Sequence, residues 1–165
     1  MNETAIRLQR TANPDHRGRF VDDYLLYLLA SVSSAASEEF YRTVREAGLK
    51  PPEWRLLGSL DGDDGAPVTR LAALALMEQS RMTRLVERME ARGFVRREAD
   101  AEDRRRVRVF YTEEGRALAA RLIVAARAHE ARILGLLSAP EAARLKALLE
   151  KLNDRIGRAG QLNRD

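Results

Sequence analysis

Ten arginines crowd the stretch from Gln79 to Arg108, at positions 81, 84, 88, 92, 96, 97, 104, 105, 106 and 108. A guanidinium is permanently charged and offers a rigid fork of N–H donors that matches phosphate oxygens or the edge of a guanine. The same stretch holds six acids, Glu87, Glu90, Glu98, Asp100, Glu102 and Asp103. Its excess of four positive charges equals the net charge of the whole chain, +4. The rest of the chain is therefore balanced. A local arginine excess implies a polyanionic partner, and a solvated, salt-bridged surface is the alternative.

Spacing divides the arginines into two groups. From Gln79 to Ala91 the period is helical, and Met82, Leu85, Val86 and Met89 form one apolar stripe. Ser80, Arg84 and Glu87 point away from that stripe, flanked by Arg81, Thr83 and Arg88. Such an outer face suits the major groove, where arginine donates two hydrogen bonds to guanine and a hydroxyl contacts base or phosphate. Gln79 and Ser80 begin the helix, where free backbone N–H groups can meet a phosphate. Taken alone, such a helix is more often just an arginine-rich surface helix. The second group lies at the tip of a hairpin, Glu102-Asp103-Arg104-Arg105-Arg106. Three consecutive arginines on a finger suit the narrow minor groove. Asp100 and Asp103 would oppose that use unless partnered, and Asp103 can hold the Arg105 guanidinium in one orientation. A salt-bridged turn accounts for the same acids.

These groups need a scaffold, and the periodicity supplies one. With 165 residues, 45% of them hydrophobic, the chain can build one core. Few aromatics and many alanines, leucines and arginines favour helices. Residues 1–19 read as a loose arm. Tyr24, Leu25, Leu28, Val32, Ala35, Ala36, Phe40 and Val44 predict a long helix from Phe20 to about Ala47, closed by Gly48. Pro51 and Pro52 open a second helix to Leu60. The run Asp61-Gly62-Asp63-Asp64-Gly65 is a turn and not a calcium loop, since Ala72 stands where the bidentate glutamate belongs. A third helix spans Thr69 to about Leu76, and the fourth is the arginine-rich one, stopped by Gly93. Phe94–Glu98 and Arg106–Tyr111 read as two strands. Thr112 caps a fifth helix running to Leu137, and the capping box Ser138–Glu141 starts a sixth that runs to about Ile156. The predicted fold is mainly α with a small two-stranded β-wing.

Several chemistries are excluded. There is no cysteine, hence no disulfide, thiolate metal site or oxidisable thiol sensor, which fits a reducing cytoplasm. With only His16 and His129, and no phosphate-cradling glycine loop or nucleophile elbow, we expect no enzyme, no cofactor and no metal. No apolar run is long enough to span a bilayer, and no signal peptide is apparent. A soluble cytoplasmic protein is expected.

The stretch Thr83-Arg84-Leu85-Val86-Glu87-Arg88-Met89-Glu90-Ala91-Arg92-Gly93-Phe94-Val95-Arg96-Arg97 resembles the recognition helix and first wing strand of MarR-type regulators. Asp103-Arg104-Arg105, with Val109, Tyr111 and Thr112, is similar to that family's wing signature, D-x-R-x-x-x-V-x-L-T, and Glu113-Glu114-Gly115 to the start of its next helix. Tyr111 stands where leucine is usual. The resemblance is specific over roughly residues 53 to 118. It implies a winged helix-turn-helix at residues 49–112, with dimerisation helices at 20–48 and 113–158 and a tail at 159–165. It further implies a homodimeric repressor of double-stranded DNA reading an inverted-repeat operator. The recognition helix (Gln79, Ser80, Arg81, Thr83, Arg84, Arg88) would read the major groove. Arg105, oriented by Asp103, would enter the minor groove, with Arg104 and Arg106 beside it.

The two-fold interface is expected on Leu118 and Leu122 of the fifth helix and on Leu145, Leu148, Leu149, Leu152 and Ile156 of the sixth. Many members of that family release DNA when a small aromatic or phenolic acid binds beside the dimer helices. Tyr24, Tyr27, Trp54 and His129 are the candidates to line such a cleft here, although Trp54 serves equally as a core residue and His129 as an interface histidine. The rival function is a winged-helix module that binds an acidic protein partner, and preference for one duplex sequence separates the two.

Overall fold

The structure, a computed structural model, describes residues 19–101, 103 and 106–162, with side chains through Gly157. The chain forms two compact units, residues 1–36 and 37–165, so the division falls inside a helix and not at its ends.

In the first unit, α1 (Phe20–Asp23) is a single turn, and α2 (Leu25–Glu46) starts two residues after it ends. The predicted continuous helix is interrupted at Tyr24, whose ψ of 116° is extended. Asp22 and Asp23 stand at the C-terminal end of α1, where acids oppose the helix dipole, and the Phe20 and Tyr24 rings stack with centroids 4.5 Å apart. Leu25, Leu26, Tyr27, Leu28 and Val32 are all exposed.

The second unit contains the core. α2 ends as expected, with Gly48 in the left-handed region that only glycine adopts without strain. There follow α3 (Pro51–Leu60), β1 (Ala66–Pro67), α4 (Val68–Leu74), α5 (Gln79–Ala91), β2 (Val95–Ala99), β3 (Val107–Tyr111), α6 (Glu113–Leu134) and α7 (Ala139–Leu162). Leu56, Leu57, Leu60, Leu71, Met82, Leu85, Val86 and Met89 are fully buried, so α3, α4 and α5 close on one another. The β2–β3 hairpin is present, with Val95 opposite Tyr111 and Ala99 opposite Val107. A third strand extends it: β1 pairs with the far edge of β3, Ala66 opposite Val109. Pro67 is tolerated there because β1 is an edge strand.

The start of α6 is clamped to the loop between α5 and β2. Thr112 accepts the Gly115 N–H at 3.0 Å as a cap, while its hydroxyl donates to the Gly93 carbonyl at 2.6 Å and its N–H to the Phe94 carbonyl at 3.2 Å. Gly115 follows from this contact. A Cβ there would stand 1.8 Å from the Phe94 carbonyl oxygen, closer than any packing allows. Tyr111, the departure from the family signature, is accommodated by a hydrogen bond from its hydroxyl to the Leu57 carbonyl and by Asp64, whose carboxylate accepts its N–H at 2.9 Å. Burial pushes the Tyr111 phenol well above its ordinary value, so it stays protonated.

Further along the two long helices the core runs out. Of the predicted box only the Glu141 half forms: its carboxylate accepts the Ser138 N–H at 2.9 Å and also the Ser138 hydroxyl, which donates instead of accepting a backbone N–H. These hydrogen bonds from Ser138 hold the Glu141 carboxyl below its usual range. Lys146 and Arg127 both pair with Glu130, at 2.9 and 3.1 Å, joining α7 to α6. Among the described residues no side chain of α7 is buried, and Leu145, Leu148, Leu149, Leu152 and Ile156 are exposed. Leu118 and Leu122 correct the expected interface. They are only 5% and 3% exposed within one chain, because the first half of α6 packs into the winged core. Gly115→Ala should destabilise the fold by about 1–3 kcal/mol through overpacking, measured by urea denaturation; an unchanged midpoint would contradict the Phe94 contact.

Candidate nucleic-acid interface

The arginine-rich helix sits where its periodicity predicts. Met82, Leu85, Val86 and Met89 of α5 are buried, and Gln79, Ser80, Arg81, Thr83, Arg84 and Arg88 are exposed. Each buried side chain contributes about 1.5–3 kcal/mol, so the rotation of the helix about its axis is strongly fixed. In the turn from α4, Leu76 adopts a left-handed φ of 52°.

The start of α5 differs from expectation. Glu78 is the N-cap, and its carboxylate accepts the Ser80 N–H at 3.3 Å and the Ser80 hydroxyl. The end predicted to offer N–H groups to a phosphate is thus occupied by an acid of the chain itself. Those hydrogen bonds from Ser80 hold the Glu78 carboxyl below its usual range, so it is ionised near neutral pH. Thr83 donates its hydroxyl to the Gln79 carbonyl at 3.1 Å. Ser80 and Thr83 have therefore committed their hydroxyl protons, which leaves the arginines as the main donors of this face.

The ten arginines separate by partner. Arg97 of β2 reaches across to α5 and pairs with Glu90 at 2.7 Å and Glu87 at 3.4 Å, while its N–H donates to Glu90 at 3.0 Å. Arg96 pairs with Glu98 and lies over the Phe110 ring, 4.5 Å from its centroid. Arg108 pairs with Asp100 at 2.9 Å and Arg106 with Asp103 at 3.4 Å. Asp100 also accepts the Asp103 N–H at 3.1 Å, closing the wing turn. The acids at Asp100 and Asp103 thus have structural partners. Arg92 pairs at 2.9 Å with Glu53, which is 5% exposed, and also donates to the Gly48 carbonyl at 2.9 Å. Glu53 in turn accepts the Lys50 N–H at 2.7 Å, so one carboxylate ties the start of α3 to the end of α5. By contrast, Arg81, Arg84 and Arg88 have no ion-pair or hydrogen-bond partner among the described residues. Arg104 and Arg105 lie outside the described residues.

Between α5 and the wing lies a cleft of ≈ 330 Å³, bordered by Gln79 and Thr83 on one side and by Arg106 and Val107 on the other. Of the contact residues predicted from sequence, Gln79, Thr83 and Arg106 therefore line one surface feature. Sequence reading missed Glu78 because glutamate is an unusual N-cap. It missed the Arg97 and Arg92 pairings because their partners are 7 to 39 residues away.

Two of the predicted effector residues, Trp54 and His129, border different clefts. Trp54 and His129 both pack against Phe40, with ring centroids at 5.3 and 5.6 Å. His129 borders a polar cleft of ≈ 270 Å³ with Arg42, Thr43 and Glu46, whereas Trp54 borders one of ≈ 390 Å³ with Gly58 and Ile123. The His129 Nε2 is buried without a hydrogen-bond partner among the described residues, 3.7 Å from a Glu39 carboxylate that Arg132 holds at 2.7 Å. Tyr24 and Tyr27 are exposed and belong to the other unit. No cluster of potential metal ligands and no helix long and apolar enough to cross a membrane occur among the described residues.

The MarR family model matches residues 47–106. A MarR family transcriptional regulator from Silicibacter pomeroyi DSS-3 is 52% identical, covering 84% of this chain and 99% of its own, with a TM-score of 0.77. The HTH-type transcriptional repressor Rv2887 of Mycobacterium tuberculosis is 34% identical over 131 residues, 79% of this chain and 94% of its own. The chain belongs to the MarR family. Its fold matches other MarR structures, including the transcriptional repressor CouR bound to a 23-mer DNA duplex, 26% identical over 81% of this chain and 95% of that one, with a TM-score of 0.71. A structure of Rv2887 in complex with p-aminosalicylic acid is 32% identical over 78% of this chain and 98% of that one, with a TM-score of 0.64. MarR proteins are transcriptional regulators.

The arginine partition orders two substitutions. Arg92→Ala strands the buried Glu53 carboxylate and should cost about 1–3 kcal/mol. Arg97→Ala breaks exposed pairs and should cost less than about 1 kcal/mol. Urea titration of both variants checks the order, and a larger loss at Arg97 would reverse the assignment.

Proposed function

We propose that this MarR protein is a homodimeric repressor that binds double-stranded DNA sequence-specifically and is released by a small aromatic or phenolic acid. One observation carries the DNA-binding part. Every described acid between Gln79 and Arg108 is paired with an arginine of the hairpin, while Arg81, Arg84 and Arg88 project from α5 without a partner among the described residues. The negative charge of the segment, that of Glu87 on the outer face included, is thereby offset by arginines of the hairpin. An arginine face of this kind fits a major groove, where guanine supplies two acceptors. We assign base choice to Arg84 and its neighbours Arg81 and Arg88. Arg105 takes the minor-groove role, with Asp103, Arg104 and Arg106 around it.

Dimerisation is supported by the exposed stripe Leu145, Leu148, Leu149, Leu152 and Ile156, an apolar surface that a symmetric partner would cover. Release by an aromatic acid is supported by the p-aminosalicylate complex of Rv2887 and by the Nε2 of His129, which makes no hydrogen bond although Glu39 lies 3.7 Å away. A ligand that prefers the non-binding arrangement shifts the population toward it.

Selection from a random duplex pool should return an inverted repeat with half-sites centred about 10 base pairs apart. Arg84→Ala should relax one position per half-site by about 1–3 kcal/mol, whereas Arg105→Ala should weaken all duplexes alike and lower the salt dependence. Unselective binding by the parent would instead favour an acidic protein partner. Separately, p-aminosalicylate should dissociate the parent from its operator in a fluorescence-anisotropy titration, with His129→Ala requiring more of it. Peroxide alone should do little, since the chain contains no cysteine. Failure of a panel of aromatic carboxylates to release DNA would remove the effector from this reading.

A further inference from the structure

We propose that Glu78 selects a cytosine at one fixed position in each half-site and rejects duplexes that place a phosphate there. The inference rests on α5 being the DNA-reading helix. It starts from a contrast within the interface: Glu87, Glu90, Glu98, Asp100 and Asp103 are each paired with an arginine, but Glu78 is held by the N–H and hydroxyl of Ser80 and by the Arg81 backbone, with the Arg84 charge nearby but no ion pair formed. Its negative charge has no ion-pair partner among the described residues, and it lies at the N-terminal end of the face that carries Arg81 and Arg84. In a helix-turn-helix that end of the recognition helix is the part that approaches base edges.

The geometry restricts what Glu78 can meet. One carboxylate oxygen accepts the Ser80 N–H and the other the Ser80 hydroxyl. An ionised carboxylate has about four acceptor sites and no donor, so both oxygens keep lone pairs and can only accept. A phosphate brought to this point is repelled, although a helix N-terminus would otherwise attract it. A favourable contact requires a donor on the DNA, and in the major groove only the cytosine N4 and adenine N6 amino groups provide one. Adenine carries its N7 acceptor beside that donor and so repels a rigid carboxylate. Cytosine has a C–H in the corresponding place. Because two bonds to Ser80 fix the carboxylate, it cannot swing away from an unsuitable base without uncapping the helix.

Two substitutions keep a polar cap while removing the charge. Glu78→Ser restores a favoured N-cap, and Glu78→Gln keeps the shape but adds a donor. Thermal melting of both variants first establishes that they fold as the parent does. In duplex selection the parent should enrich cytosine at one position per half-site. Glu78→Ser should lose that preference by about tenfold and bind scrambled duplex several-fold more tightly. Glu78→Gln should exchange cytosine for adenine at the same position, because an amide matches N6 and N7 together. An unchanged motif and unchanged scrambled-duplex affinity in both variants would overturn the inference alone, as would loss of all binding in folded variants. If the parent enriches no motif, the DNA-reading assignment of α5 falls, and this inference with it.

Discussion

The burial of one side of α5 is the constraint on which the interface depends. Met82, Leu85, Val86 and Met89 leave no choice in how the helix is turned about its axis. Everything on the other side is a consequence of that fit. Two sets of ion pairs then hold the ends of the arrangement, Arg92 to Glu53 at the base and Arg97 to Glu87 and Glu90 along the flank. Neither set fixes the orientation, but each resists sliding along it. The Glu53 pair carries more weight because its carboxylate is withdrawn from water and would otherwise lack a counter-charge.

The charge of the segment is better understood as a sorting than as a sum. The count of arginines suggests a broadly basic surface, yet Arg92, Arg96, Arg97, Arg106 and Arg108 are occupied in holding strands, helix and turn together. Acids that look unfavourable for a polyanion-binding protein are the counterparts of these arginines. What remains outward on α5 is a small set of cations, with one carboxylate at the head of the helix.

Much of this was legible in the amino-acid order, for identifiable reasons. The limits of α5 follow from a clean 3.6-residue period ended by Gly93, and the starts of α6 and α7 from side chains that cap within three residues of themselves. The break at Tyr24 was not legible, because the apolar spacing continues through it and only the backbone changes. β1 is two residues long, too short to display an alternation. Leu118 and Leu122 share their helical stripe with residues farther along α6. Periodicity identifies a buried side but not whether the cover comes from the same chain. The outer face of α5 was placed correctly, while the role of its first residues was not, since Glu78 acts through a local bond that propensity tables rank low. The expected effector residues were the least legible, because Trp54 and His129 lie on different helices and border different clefts of one chain.

The seating of Gly115 on the Phe94 carbonyl has a mechanical consequence. With Thr112 bonded to Gly93 on the same spot, the wing's first strand and the long helix α6 share a rigid joint. At about 1.5 Å per residue, the 22 residues of α6 make a rod roughly 33 Å long, fixed at one end. A rod held in this way is a lever. Tilting it by a few degrees carries the far end through about 2–3 Å, and the same tilt, applied from the far end, turns the base of the wing with it. The one residue without a side chain at that joint is what keeps the lever free of play.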